Sequence, residues 1–169
     1  DSYGHDMGDK VLIELSDRMI RWNHLEATVA RLGGDDFAIM FVGRYTQKDI
    51  EDYCVQIIDI CGKPIDIGNT SLNFTISVGI ALISESVGDW KTLMKHADIA
   101  MYSAKSQGYN KYQFYNPIID RNFTQSIEIE ALLKQADIEK DFTLFYQPQY
   151  SLPDLQLIGA EALIRWENK

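Results

Sequence analysis

Apolar residues recur at Met7, Val11, Leu12, Leu15, Met19 and Trp22, the spacing of one helix face, so a first helix is predicted over Met7–Trp22. Two short strand-like runs follow, LEATVARL and DFAIMFVG, with Gly33 and Gly34 between them as the turn of a tight hairpin. Thr46 is placed to cap a second helix whose inward face is Ile50, Cys54, Ile57, Ile58 and Cys61, and Gly62 with Pro64 stops it. A second hairpin is expected from PIDIG into LNFTISVGIAL, turning at Asn69 and Thr70. After Asp89, the residues Trp90, Leu93, Met94, Ala97, Met101 and Ala104 line a third helix ending at Gly108, and KYQFY reads as a closing strand. The order α-β-β-α-β-β-α-β points to helices packed on a largely antiparallel sheet, an α+β domain.

A seam comes next. Pro117 to Asn122 reads as a connector, and Thr124 to Lys140 as a polar-faced helix with Ile127, Ile129, Leu132, Leu133 and Ala136 on its apolar side. TLFYQPQYSL and LQLIGAEALIRW then alternate like two strands about a Pro153-Asp154 turn. Two strands alone rarely make a stable fold, so this last unit reads as a fragment. The expected division is 1–116, 117–140 and 141–169.

Length and composition narrow the class. The chain has 169 residues, 46% hydrophobic and 11% aromatic, enough for one packed domain and a piece of a second. With 25 acids against 16 bases the net charge is −9, which excludes the basic field of non-specific nucleic-acid or anionic-membrane binding. A polyanionic ligand would have to arrive with a divalent metal. Cys54 and Cys61 lie two helical turns apart, about 10 Å along the axis, too far for a disulfide, which fits a reducing cytoplasm. The chain shows no signal peptide and no apolar run of bilayer length. It opens abruptly at DSYGHDMGD, as though cut from something longer, which leaves room for sensor or membrane segments upstream.

The stretch RLGGDDFAIMFV sets two glycines and two repelling carboxylates at the start of an apolar strand. Alone, it reads first as an ordinary hairpin turn, glycine for geometry and aspartate for solvation. The surroundings add Asp1, Gly4, His5, Gly8 and Asp9 as D-x-x-G-H-x-x-G-D at the mouth of the first helix, and Ala104-Lys105 near the end of the third. In this order and spacing these residues resemble the GGDEF family of diguanylate cyclases, over Asp1 to about Tyr115. The remainder, with Y-Q-P at Tyr146–Pro148 and E-A-L-I-R-W at Glu161–Trp166, resembles the opening of an EAL domain, the phosphodiesterase that opens cyclic di-GMP.

The glycines let a triphosphate approach the turn backbone, whose N–H groups can bind its oxygens. The adjacent acids would repel that anion unless magnesium lay between. The resemblance implies a magnesium (or manganese) seat at Asp36, with Asp35 beside it helping to activate the 3′-hydroxyl that attacks a second GTP. It implies GTP contacts at Gly33, Gly34, Asp9 (the guanine edge) and Lys105 (phosphates), and a structural role for His5 at the helix entrance. Asp9 and Lys105 also suit their helix ends by charge alone. In the second unit it implies a metal-binding Glu161, with Gln147 and Arg165 at the cyclic di-GMP site. It further implies a nucleotide-cyclase-like, ferredoxin-like core followed by the first strands of a TIM-barrel-like domain.

The pattern departs from the family in places. Asp36 stands where the family norm is glutamate, Gly108-Tyr109-Asn110 replaces Gly-Arg-Asn, and His24-Leu25-Glu26-Ala27 replaces the inhibitory Arg-x-x-Asp. The family's first metal-binding aspartate, its guanine-reading asparagine and a central strand are expected upstream of Asp1. The implied function is a GGDEF domain that binds GTP with magnesium, weak or inactive as a cyclase, regulating an attached EAL phosphodiesterase. The alternatives are an active cyclase joining two GTP across a homodimer, and a structural dimerisation module without nucleotide. The EAL fragment is expected to be inert without its later strands.

Overall fold

A computed structural model of the chain describes residues 5–22, 27–68, 70–83 and 89–167. The elements in order are α1 (His5–Trp22), β1 (Thr28–Gly33), β2 (Asp36–Met40), α2 (Gln47–Cys61), β3 (Ile65–Ile67), β4 (Thr70–Leu72), β5 (Val78–Ile80), α3 (Trp90–Ser106), β6 (Tyr112–Phe114), α4 (Pro117–Gln135), α5 (Ile138–Asp141), β7 (Phe142–Tyr150) and β8 (Leu157–Trp166). Backbone contacts divide the chain into two units, 1–123 and 124–169.

In the first unit, α1 and α2 close one core. Leu15, Met19 and Trp22 of α1 meet Ile57 and Cys61 of α2 and Ile65 of β3, with Val29, Phe37, Ile39, Phe41, Ile76 and Val78 packed against them. Both helices form where the apolar spacing placed them, and α2 starts in a capping box: the Asp49 N–H donates to Thr46 Oγ1, and Thr46 N–H donates to Asp49. The last turn of α2 carries no cation of its own. Arg18 of α1 supplies one, its Nη1 donating to the Ile60 and Cys61 carbonyls and to Lys63 O, and its Nη2 to Pro64 O at 2.8 Å. Cys54 and Cys61 are free and buried, and burial pushes their thiols up to about 12 and about 11.

α3 packs on the other face of β5. Val78 belongs to the α1–α2 core, and its neighbour Gly79 lies against the α3 backbone at Ala97 and Met101. Asp89 caps this helix by accepting from the Thr92 N–H at 2.9 Å. A second cluster joins Ile99 and Ala100 of α3 to Ile119 of α4, with Tyr115 and Phe123 beside it. His96 stacks on Tyr115 at 3.6 Å, and the Tyr115 hydroxyl donates to Asp120.

Several expectations are corrected. The strands form four two-stranded sheets in place of one sheet; β1–β2, β3–β4 and β7–β8 are antiparallel and β5–β6 is parallel. LNFTISVGIAL is not one strand: β4 stops at Leu72 and β5 starts at Val78. Phe74, Ile76 and Val78 alternate because all three pack on the core, and at Phe74 and Ile76, between the two strands, packing imposes that period outside any assigned strand. Pro117–Asn122 is helical, not a connector: proline occupies the first helical position, and Asn116 Oδ1 accepts from the Ile118 and Ile119 N–H groups. The helix expected to run to Lys140 ends at Gln135, with α5 separate. α3 ends at Ser106, before Gly108, and buries Ile99, Ala100 and Ala104, while Trp90 is exposed. The Leu25–Glu26 start of the first strand and the Asn69 turn position lie outside the described residues.

The second unit pairs β7 and β8 along their length about the Ser151–Gln156 turn. Phe142 stacks on Trp166 at 6.1 Å. The expected apolar side of its helix, Ile127, Ile129, Leu132 and Leu133, is exposed. Among the described residues no helix is long and apolar enough to cross a membrane.

Candidate functional site

The β1–β2 turn carries the strongest candidates. Arg31 pairs with Phe37 and Gly33 with Asp36, with a bulge between Arg31 and Gly33. Gly34 holds φ at +55°, a left-handed backbone that favours glycine. Asp35 and Asp36 emerge exposed at the tip, and Phe37, behind them, is half-buried against the core.

Asp36 reaches the electrostatic neighbourhood of α3. The Asp98 carboxyl is held above its ordinary range, first by partial desolvation and second by the charge of Asp36. Asp98 stands seven residues before Lys105, so the two share a face of α3. Lys105 is half-buried in the last turn, ahead of the Gly108–Tyr109–Asn110 turn, where all three residues have positive φ (109°, 56° and 51°). Asp9 lies exposed early in α1. Asp1 and Gly4 fall outside the described residues. Among the described residues no three acids, histidines or cysteines gather as a metal cluster. A cavity of about 720 Å³ lies elsewhere, lined by Val55, Ile58, Lys63 and Asn110–Tyr112.

Asp98 was not singled out from the chain. The available signal was its position two helical turns before Lys105. Asp98→Asn is expected to raise Tm at pH 7 by about 1–2 °C by removing the repulsion with Asp36. An acid raised in the folded state carries its penalty above its folded pKa and none below its unfolded value near 3.9. The gain should therefore vanish in melts run below about pH 4; a gain that persists there would show that charge is not its origin.

In the second unit, Gln147 stands directly opposite Glu161, and Thr143 opposite Arg165. Side chains alternate along a strand, so Gln147, Glu161 and Arg165 share one face of the β7–β8 hairpin. All three are exposed.

The family model described as "Diguanylate cyclase, GGDEF domain" matches residues 1–111. The chain belongs to the GGDEF family. Two curated relatives match nearly all of it: the bifunctional diguanylate cyclase/cyclic di-GMP phosphodiesterase MucR of Pseudomonas aeruginosa, 36% identical over 99% of this chain, and the signaling protein YkoW of Bacillus subtilis, 38% identical over 98%. The chain spans only 24% and 21% of their lengths. Among solved structures, the GGDEF domain of TpbB/YfiN from P. aeruginosa is similar with a TM-score of 0.68 and 30% identity, covering 73% of each chain. An EAL/GGDEF domain protein from M. capsulatus is similar with a TM-score of 0.63 and 36% identity, covering 69% of this chain and 76% of that one. The GGDEF fold thus accounts for the α+β arrangement of small sheets and helices in the first unit.

Proposed function

We propose that residues 1–116 form the GGDEF domain of a cyclic di-GMP turnover protein, that it binds GTP with magnesium, and that it regulates an attached EAL phosphodiesterase while being weak or inactive as a cyclase. Residues 117–140 would link it to the EAL domain, and 141–169 would supply that domain's first TIM-barrel-like strands. The observation that carries this function is the glycine turn that presents Asp35 and Asp36 exposed at its tip, with the charge of Asp36 felt at Asp98 on α3. Such unrelieved negative charge suits a hard divalent cation with oxygen ligands, magnesium or manganese. Asp36 would hold it with Asp35, and the ion would neutralise phosphate charge. Asp35 would help draw the proton from a 3′-hydroxyl, Gly33 and Gly34 would admit the phosphates close to the backbone, Lys105 would contact them, and Asp9 would accept from the guanine edge. In the EAL part, Glu161 would bind metal, with Gln147 and Arg165 toward cyclic di-GMP.

Low turnover is supported by Asp36 in place of glutamate, one methylene shorter, and by Tyr109, which cannot offer a guanidinium's charge to phosphate. Asp35 at an exposed tip favours a second reading, an active cyclase working as a homodimer. The net charge supports neither nucleic acid nor a membrane surface as partner, and the two free thiols accord with a cytoplasmic setting.

Titrating magnesium and GTP into the intact protein is expected to give saturable binding heat, with only trace cyclic di-GMP by chromatography. No binding at millimolar nucleotide would remove the sensor function. Metal-dependent product that disappears in Asp35→Ala would establish the active cyclase instead.

A further inference from the structure

Arg31 stands where the β1–β2 ladder gives way to the turn. Its exposed guanidinium folds over that turn and donates from Nε (3.0 Å) and Nη2 (2.7 Å) to one acceptor, the Gly34 carbonyl oxygen. Among the described residues it forms no ion pair, although Asp35 and Asp36 lie four and five positions along the chain. The fork therefore binds the backbone and leaves both carboxylates unneutralised.

That carbonyl belongs to the central peptide of the turn. Rotation of this peptide is the ordinary way one two-residue turn becomes another, and glycine resists it least. Two hydrogen bonds from a charged, planar donor oppose that rotation. The Gly34–Asp35 peptide is planar and trans, so holding its oxygen also aims the Asp35 N–H in the opposite direction and fixes where the Asp35 side chain begins.

We propose that Arg31 is a positioning residue that clamps the Gly34–Asp35 peptide, so that Asp35 presents one fixed geometry to the phosphates of a nucleotide. The nucleotide half of this role rests on the GTP function proposed above; the clamp itself does not. Arg31 also keeps a positive charge at the tip without consuming the acids a cation would need.

The test compares the intact wild-type protein with Arg31→Ala and Arg31→Lys by amide hydrogen exchange, thermal melting and magnesium–GTP titration. Arg31→Ala is expected to speed exchange over residues 33–36 by about tenfold and to weaken magnesium–GTP binding by about tenfold, with Tm within about 3 °C of wild type. Lysine keeps the charge but not the fork, and should restore less than half of either effect on a logarithmic scale. Unchanged exchange at the turn in Arg31→Ala overturns the clamp. Faster exchange with unchanged nucleotide affinity overturns the positioning role. Should the wild-type protein itself bind no GTP, the nucleotide function and the positioning role both fall, and the exchange rates alone decide the clamp.

Discussion

Gly79→Ala is expected to destabilise the first unit by about 3 kcal/mol, the upper end of what overpacking costs. A β-carbon there would fall well inside contact distance of the Ala97 carbonyl oxygen and the Met101 amide nitrogen, and 2.8 Å from Met101 Cβ. Two of those three atoms are helix backbone, which cannot rotate aside as a side chain could. Either α3 lifts from β5 or β5 bows away from the helix. Both movements loosen the seating of the helix that carries Asp98 and Lys105, so the loss should appear in nucleotide affinity as well as stability. Urea denaturation with a matched magnesium–GTP titration would measure both. A loss below about 1 kcal/mol would mean that the close approach of α3 to β5 is not a constraint.

Trp22→Ala should cost about 3–5 kcal/mol, the range for deleting a buried large aromatic side chain. Trp22 is 6% exposed and closes the core where α1, α2 and β2 meet. Its ring stands edge-on to Phe41 at 6.4 Å and to Tyr53 at 6.1 Å, and its Nε1 donates to Gln56 Oε1 at 3.1 Å. Trp22→Phe keeps an aromatic ring and gives up only the hydrogen bond to an exposed glutamine, so it should cost less than half as much. Equal losses for the two variants, read from urea midpoints, would place the contribution in the Gln56 bond instead of the packing. Because α1 also carries Asp9, the alanine variant tests how far the far end of this helix holds its opening turn in place.

Helices α1 and α2 were readable in the chain because one-sided burial writes a 3.6-residue period, and the Thr46 cap was readable because capping is chemistry between residues three apart. The glycine turn was readable for a similar reason: the conformation is local and few residues tolerate it. Elsewhere the local signal pointed the wrong way. Asn116-Pro117 carries both a break and a helix start, and the Asn116 cap is joined by the packing of Ile119 on Ile99 and Ala100 in favouring the start. Trp90 has the right spacing for the inner face of α3 but lies in the first turn of the helix, where it is exposed.

Local order along the chain thus settled that α1 and α2 coil, where α2 begins, and that two acids would sit at a glycine turn, since each depends on interactions within about four residues. Partners distant in sequence settled the rest: the parallel match of β5 to β6, the guanidinium of Arg18 on the carbonyls of another helix, the approach of α3 to Gly79, and the charge of Asp36 felt at Asp98. Such pairings depend on distance in space and on which faces are already covered, and a linear pattern of apolar and polar residues records neither.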